Sequence, residues 1–164
     1  MAKQTEITPP HLWPPHLWIV LSRCHHALRQ AAECSISGTG LVLTDFMVLE
    51  ALLHKGPLTI TEIQKKALLA TGSMTAAVDR VERKGLIVRR TTSTDRRARV
   101  LELTDAGRTL IEKAFAQHAS DLESIMSVLS NTEKEQLYRL TRKLGLAAAE
   151  AKAERETAQA ATGD

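Results

Sequence analysis

Between Arg80 and Arg99 the chain carries eight basic side chains: Arg80, Arg83, Lys84, Arg89, Arg90, Arg96, Arg97 and Arg99. Only Glu82 and Asp95 oppose them, so this stretch holds +6 in a chain whose net charge is +3. One concentrated basic element on a slightly acidic body suits docking to a polyanion. Just upstream lie the small residues Gly72, Ser73, Thr75 and Ala76. Their hydroxyls suit phosphate or base contacts, and their methyl groups suit the methyl of thymine in a major groove. Further on, the polar run TSTDRR places Asp95, Arg96 and Arg97 together. An arginine on a narrow protrusion can enter a minor groove, with Asp95 holding it in one geometry.

These residues need a scaffold, and the flanking sequence supplies its signals. Thr59-Ile60-Thr61-Glu62 has the capping-box pattern and opens a short helix with Ile60, Ile63 and Ala67 inward. After a reversal near 70–73, a second helix is expected over about 73–84. Met74, Val78 and Val81 face inward, and Ser73, Thr75, Ala76, Asp79, Arg80, Arg83 and Lys84 face outward. Residues 86–91 and 98–103 are rich in β-branched and apolar types and flank the polar turn, which predicts a hairpin. The order is helix, turn, helix, hairpin: a mainly α chain with a small β wing.

The rest of the chain frames this unit. Residues 1–14 form an irregular arm with a tandem repeat, PPHLW at 9–13 and 14–18. A helix follows from about Pro15 to Cys34, with Leu17, Leu21, Cys24, Leu28 and Ala31 on a heptad-like stripe suited to a partner helix. Thr44 is the expected N-cap of the next helix, which Gly56-Pro57 ends. Thr104 should cap a long helix over 105–129, and Thr132 with Glu135 should box the start of the last, carrying Leu137, Leu140 and Leu144. The expected organisation is an arm (1–14), one domain (15–150) and a polar tail (151–164). Within the domain, dimerisation helices over about 15–35 and 105–147 surround a winged helix-turn-helix over about 44–104.

Composition narrows the class. At 164 residues and 43% apolar content the chain suits one folded domain. Two cysteines, no apolar run near the length of a membrane span and a proline-rich start suggest a cytoplasmic protein. No G-x-S-x-G, phosphate loop or dinucleotide fingerprint supports an enzyme or a cofactor. The six histidines lack metal-ligand spacing, which argues against a metal site. His25, His54 and His118 are better placed as core or pocket residues. Cys24 and Cys34 lie ten residues apart on one helix, about 15 Å, too far for an intrachain disulfide.

The segments LTDFMVLEALLHKGPLTITEI, TGSMTAAVDRVERKGLIVRR and TDRRARVLELTDAG resemble the MarR family of winged helix-turn-helix regulators. Its wing-tip DRR and the following Leu103, Thr104 and Gly107 are its more specific marks. Within the family, LEALLHKG, TGSMT and the pair Phe115/His118 are most similar to the branch that senses quinones and related phenolic or electrophilic compounds. The resemblance implies a homodimeric repressor on a palindromic operator. It places Ser73, Thr75, Ala76 and Arg80 in the major groove and Arg97 in the minor groove beside Asp95. Arg89 and Arg90 fall at the wing base near phosphates, Arg83 along the helix face and Arg96 on the tip. It further implies an effector pocket between dimerisation helices and reading head, where Trp18, His25, Phe46, Glu50, His54 and Phe115 would line the wall. Two alternatives stand beside it: a regulator sensing oxidants through Cys24, and a helical dimeric adaptor whose basic hairpin docks an acidic protein.

Overall fold

Leu43–Lys55 is the helix against which its neighbouring helices in the chain pack. In the computed structural model, which describes residues 9–67, 71–91 and 99–162, this helix (α2) buries Asp45, Phe46, Val48, Leu49 and Leu52. Those positions cover more than one face, so α2 packs on several elements at once. Before it come a 3-10 turn at Pro10–Leu12, the helix α1 (Pro14–Ile36) and a second 3-10 turn at Ser37–Thr39. After it come β1 (Leu58–Thr59), α3 (Ile60–Ala67), α4 (Thr71–Arg83), β2 (Ile87–Thr91), β3 (Arg99–Leu103), α5 (Asp105–Met126) and α6 (Asn131–Thr162). The chain divides into two compact units, Met1–Leu122 and Glu123–Asp164. Among the described residues no single helix is long and apolar enough to cross a membrane.

The wing hairpin is present, and it has a third strand. β3 lies between β1 and β2, antiparallel to both, with Leu58 opposite Leu101 and Ile87 opposite Leu103. At two residues β1 is too short to show period-two alternation, which is why the sequence gives no sign of it.

The ends of the elements are set by named side chains. Glu62 accepts from the amide and hydroxyl of Thr59 at 2.8 Å each, and Thr59 Oγ1 receives the Glu62 amide at 3.3 Å: the expected capping box. α4 ends in a Schellman motif at Gly85, which sits at φ +71°. The Leu86 amide reaches Val81 O (3.0 Å) and the Gly85 amide reaches Glu82 O (2.8 Å). Thr104 caps α5 by receiving the Gly107 amide at 3.0 Å, and its hydroxyl donates to Gly85 O at 2.7 Å. One threonine thus ties the start of α5 to the end of α4.

Two expected caps are elsewhere. Val42, not Thr44, is the N-cap of α2, and it makes no side-chain cap bond. Thr44 lies inside the first turn, where its hydroxyl faces α4. The last helix is boxed by Ser130 and Glu133, two residues before the expected pair. Both pairs fit the pattern, and the chain uses the one nearer the end of α5. α6 then continues to Thr162, through the alanine-rich polar segment.

The core of the first unit joins α2, α3, α4, the sheet and α5: Phe46, Leu49, Leu52, Ile63, Met74, Val78, Val81, Leu101 and Ile111 are each at most 2% exposed. The inward stripe expected for α4 is present, with Ala77 added to it. α1 joins this core only through its C-terminal half, where Ile36 is 1% exposed. Its first half is solvent-facing, including Leu17, Leu21 and Cys24 of the expected stripe. On α6, Leu137, Leu140 and Leu144 are likewise exposed.

Gly107 leaves no room for a side chain. A Cβ there would stand 1.9 Å from Leu86 O, a backbone atom held by the Thr104 amide at 3.0 Å. Gly107→Ala should therefore destabilise the fold by about 2 kcal/mol or more, read as a lower urea midpoint. At the head of α6, the Ser130 hydroxyl, followed by its amide, holds the Glu133 carboxyl below the ordinary carboxylate range. The cap therefore stabilises fully above the unfolded carboxylate pKa, about 4.3, and weakens as pH falls through the lowered folded value. Ser130→Ala should move the Glu133 titration, followed by carboxyl carbon NMR, back up toward the ordinary value.

Candidate nucleic-acid interface

α4 presents a small-residue face at its start: Ser73, Thr75 and Ala76 are exposed, while Met74, Ala77 and Val78 anchor the opposite side at 0% exposure. Helical periodicity separates them, since residues one apart lie about 100° round the axis. This face is free of bulk and suits close approach to a groove.

The basic side chains do not form one outward array. Arg80 was expected on the open face of α4 but turns inward. Its Nε and Nη2 donate to Asp45 Oδ1 at 3.0 and 2.7 Å, and Nη2 also donates to Thr44 Oγ1 at 3.0 Å. The reason is Asp45, a carboxylate 1% exposed, which requires a paired cation. Lys84, one turn on, donates to Gly40 O at 2.8 Å and stands 3.6 Å from Asp45 Oδ2. The outward placement of Arg80 is thereby corrected.

Arg89 is similarly engaged. Its side chain, one quarter exposed, pairs with Asp79 through Nη2 and lies 3.3 Å from Glu82 Oε2 through Nε. It joins β2 to α4 at the base of the wing. Arg90, on the next position of β2, is 68% exposed and crosses to Glu102 of β3 at 2.8 Å. Arg83 is exposed and makes no ion pair among the described residues. Arg99 is exposed at the start of β3. Asp95, Arg96 and Arg97 lie outside the described residues.

A cavity of about 530 Å³ lies between α1, α2 and α5, within the size range of small-molecule sites. Of the six residues expected to line a pocket, His25, Phe46 and Glu50 line this one. Trp18 does not, being 71% exposed near the start of α1. His54 and Phe115 stack edge-on against each other, with ring centroids 4.6 Å apart, and are not part of its wall. Leu28, Arg29, Ala32, Leu43, Met47, His118 and Leu122 complete the lining.

His118 is 9% exposed, and its ring lies 4.9 Å from that of Phe46. Its Nδ1 is 2.7 Å from Ser35 Oγ, and that hydroxyl donates to Ala32 O. Ser35 has one proton to give, so in this arrangement Nδ1 is the donor of the pair. The heptad rhythm of α5 already placed His118 inward; its cavity role needed the packing of α1. His25 and His54 are exposed: His25 lines the cavity, and His54 packs edge-on against Phe115 outside it.

Cys24 and Cys34 are both free and exposed. Cys24 lies with Leu17 and Leu21 on the solvent-facing first half of α1. No group of three or more metal-ligating side chains occurs among the described residues.

Residues 41–98 match the MarR family. The chain is 38% identical over 128 residues to the HTH-type transcriptional regulator MhqR of Bacillus subtilis, covering 78% of this chain and 88% of that protein. Its fold is similar to that of an E. coli MarR variant crystallised with operator DNA (TM-score 0.71, 22% identity, 78% of this chain and 92% of that one). It is also similar to the organohalide-sensing regulator RdhR in its 2,4-dichlorophenol-bound form (TM-score 0.72, 20% identity, 88% and 86%).

Phe46 belongs both to the core and to the cavity wall. Phe46→Ala should cost about 3–5 kcal/mol of folding stability. Chemical denaturation with circular dichroism measures it, and a loss under about 1 kcal/mol would mean the ring does not bridge the two.

Proposed function

The chain belongs to the MarR family of DNA-binding transcriptional regulators, which are not enzymes, and on that premise we propose that it is a homodimeric repressor of a palindromic operator, released by a small phenolic, quinone-like or electrophilic ligand. The observation that carries the DNA-reading part is α4 itself. Its exposed face is built from Ser73, Thr75 and Ala76, and its opposite face is locked into the core. In this reading α4 lies in the major groove with those three residues toward base edges. Arg83 and Arg90 grip phosphates, as does Arg96 from the wing. Arg97 enters the minor groove, held by Asp95. Arg80 and Arg89 act from behind, holding α4 and the wing base in place.

Dimerisation is supported by apolar side chains that stand exposed among the described residues. On α1, Leu17, Trp18, Val20 and Leu21 are 43%, 71%, 63% and 38% exposed. On α6, Leu137, Leu140 and Leu144 are 46%, 64% and 54% exposed. Stripes of this kind are costly in water and mark an interface with another chain. The domain then comprises dimerisation segments about 15–35 and 105–147 around a reading head about 44–104. A dimer places two reading heads about one helical turn of DNA apart, some 34 Å, which is why the operator is palindromic. Such a regulator works in the cytoplasm, where the DNA is.

The ligand part rests on the cavity between α1, α2 and α5. Phe46, Met47, Leu28 and Leu43 supply apolar walls, and Arg29, His25, His118 and Glu50 supply polar groups. That mixture suits a planar aromatic ring with an acidic hydroxyl. Release requires the ligand to favour the shape that cannot bind DNA.

Selection of a duplex from a random-sequence pool, then fluorescence anisotropy over a range of salt, tests the reading. Binding should be tight and sequence-selective, with an inverted-repeat consensus and a steep salt dependence from counterion release. A shallow slope and no competition by duplex DNA would favour the adaptor instead. Arg97→Ala should weaken binding at least about tenfold, a loss of about 1.4 kcal/mol. Unchanged affinity at fixed salt would remove that arginine from the interface.

A further inference from the structure

Arg80 and Lys84 are two of the basic side chains nearest the reading face, and both are held by the start of α2. Asp45 Oδ1 receives two bonds from Arg80, whose side chain is 35% exposed. Thr44 Oγ1 receives a third at 3.0 Å. Lys84 Nζ bonds Gly40 O in the left-handed turn before α2 and faces Asp45 Oδ2, which has no hydrogen-bond partner among the described residues. The last turn of α4 and its following residue are therefore cross-linked to the first turn of α2. If Arg80 swung out to a phosphate, it would leave a buried carboxylate whose remaining cation among the described residues is Lys84 at 3.6 Å, an unfavourable exchange.

Resting on the operator-binding reading above, we propose that Asp45 is a positioning residue for DNA recognition. It fixes the pitch of α4 against α2 and keeps Arg80 and Lys84 off the phosphate backbone. A cation that reaches phosphate binds every sequence equally well. Holding two of them back on each protomer leaves more of the binding free energy to the residues at the start of α4. Asp45 thus raises the ratio of specific to non-specific binding without touching DNA.

The salt dependence of binding separates this role from a phosphate-contact role. Each phosphate contact adds about 0.9 to the slope of log affinity against log salt. The full chain and the variants Arg80→Gln, Lys84→Gln, Asp45→Asn and Asp45→Asn/Arg80→Gln are titrated against the selected duplex and against a scrambled duplex of equal length. Arg80→Gln should weaken selected-duplex binding about tenfold with the slope unchanged. Lys84→Gln should also keep the parent slope. Asp45→Asn should lower the selected-to-scrambled ratio about tenfold, and its slope should steepen as the released cations reach phosphates. The double variant should resemble the worse single one, because the two residues act through one contact.

A slope lower by about 0.9 per protomer in Arg80→Gln or Lys84→Gln overturns the proposal, as does an additive double variant. Thermal unfolding accompanies each titration. Should the Asp45 variants not fold, Lys84→Gln, which leaves Arg80 on its carboxylate, decides the matter by its slope. A parent chain that binds neither duplex at low salt removes the operator-binding reading, and this inference with it. A parent that binds while a variant loses slope removes the inference alone.

Discussion

A carboxylate almost sealed from water, in the first turn of α2, governs how α4 is held. Asp45 is 1% exposed, and a lone charge at such a site is strongly disfavoured. The fold answers with Arg80 from the last turn of α4 and Lys84 just beyond it. Helix packing by Met74, Val78 and Val81 brings α4 to the core, but apolar contacts are non-directional. The bonds to Asp45 and Thr44 are directional, so they add an angle to that packing. Arg89 does the same from the opposite side, joining Asp79 and Glu82 of α4 to β2. α4 is braced at both the α2 side and the wing side by arginines that charge alone would send outward to solvent.

The same turn of α2 serves a second purpose. Thr44 and Asp45 face α4, while Leu43, Phe46 and Met47 line the cavity shared with α1 and α5. A helix turn has only about four positions, so the cavity wall and the brace of α4 are covalently contiguous. Leu86 and Thr104 form a comparable joint. The end of α4, the start of α5 and the sheet meet where Gly107 lets two backbones touch. The architecture thus concentrates its constraints at a few joints between helix ends.

Much of this was legible in the residues. The order of elements, the Thr59–Glu62 box, the stop at Gly85, the Thr104 cap and the inward stripe of α4 all follow from local chemistry. A cap needs an oxygen at a fixed offset, and a stripe needs a period of 3.6. Where two local patterns competed, the outcome was not legible: Ser130 with Glu133 and Thr132 with Glu135 differ only in where α5 ends. β1 was silent because two residues carry no period. The cavity between α1, α2 and α5 takes in Phe46, Glu50 and His25 but not Trp18, His54 or Phe115, a division no local pattern encodes because three helices define it at once.

By itself, then, the sequence determined the helix-turn-helix with its wing, the concentration of charge there and the family to which the chain belongs. Those features depend on near neighbours along the chain, and spacing encodes them. Only the tertiary structure decided what each charge does. Arg80 and Arg83 are three residues apart on one helix, yet one is drawn into Asp45, 35 positions earlier in the chain, and the other stands in solvent. Burial of the partner makes the difference: a carboxylate becomes a demanding ligand for a guanidinium only once packing has removed its water.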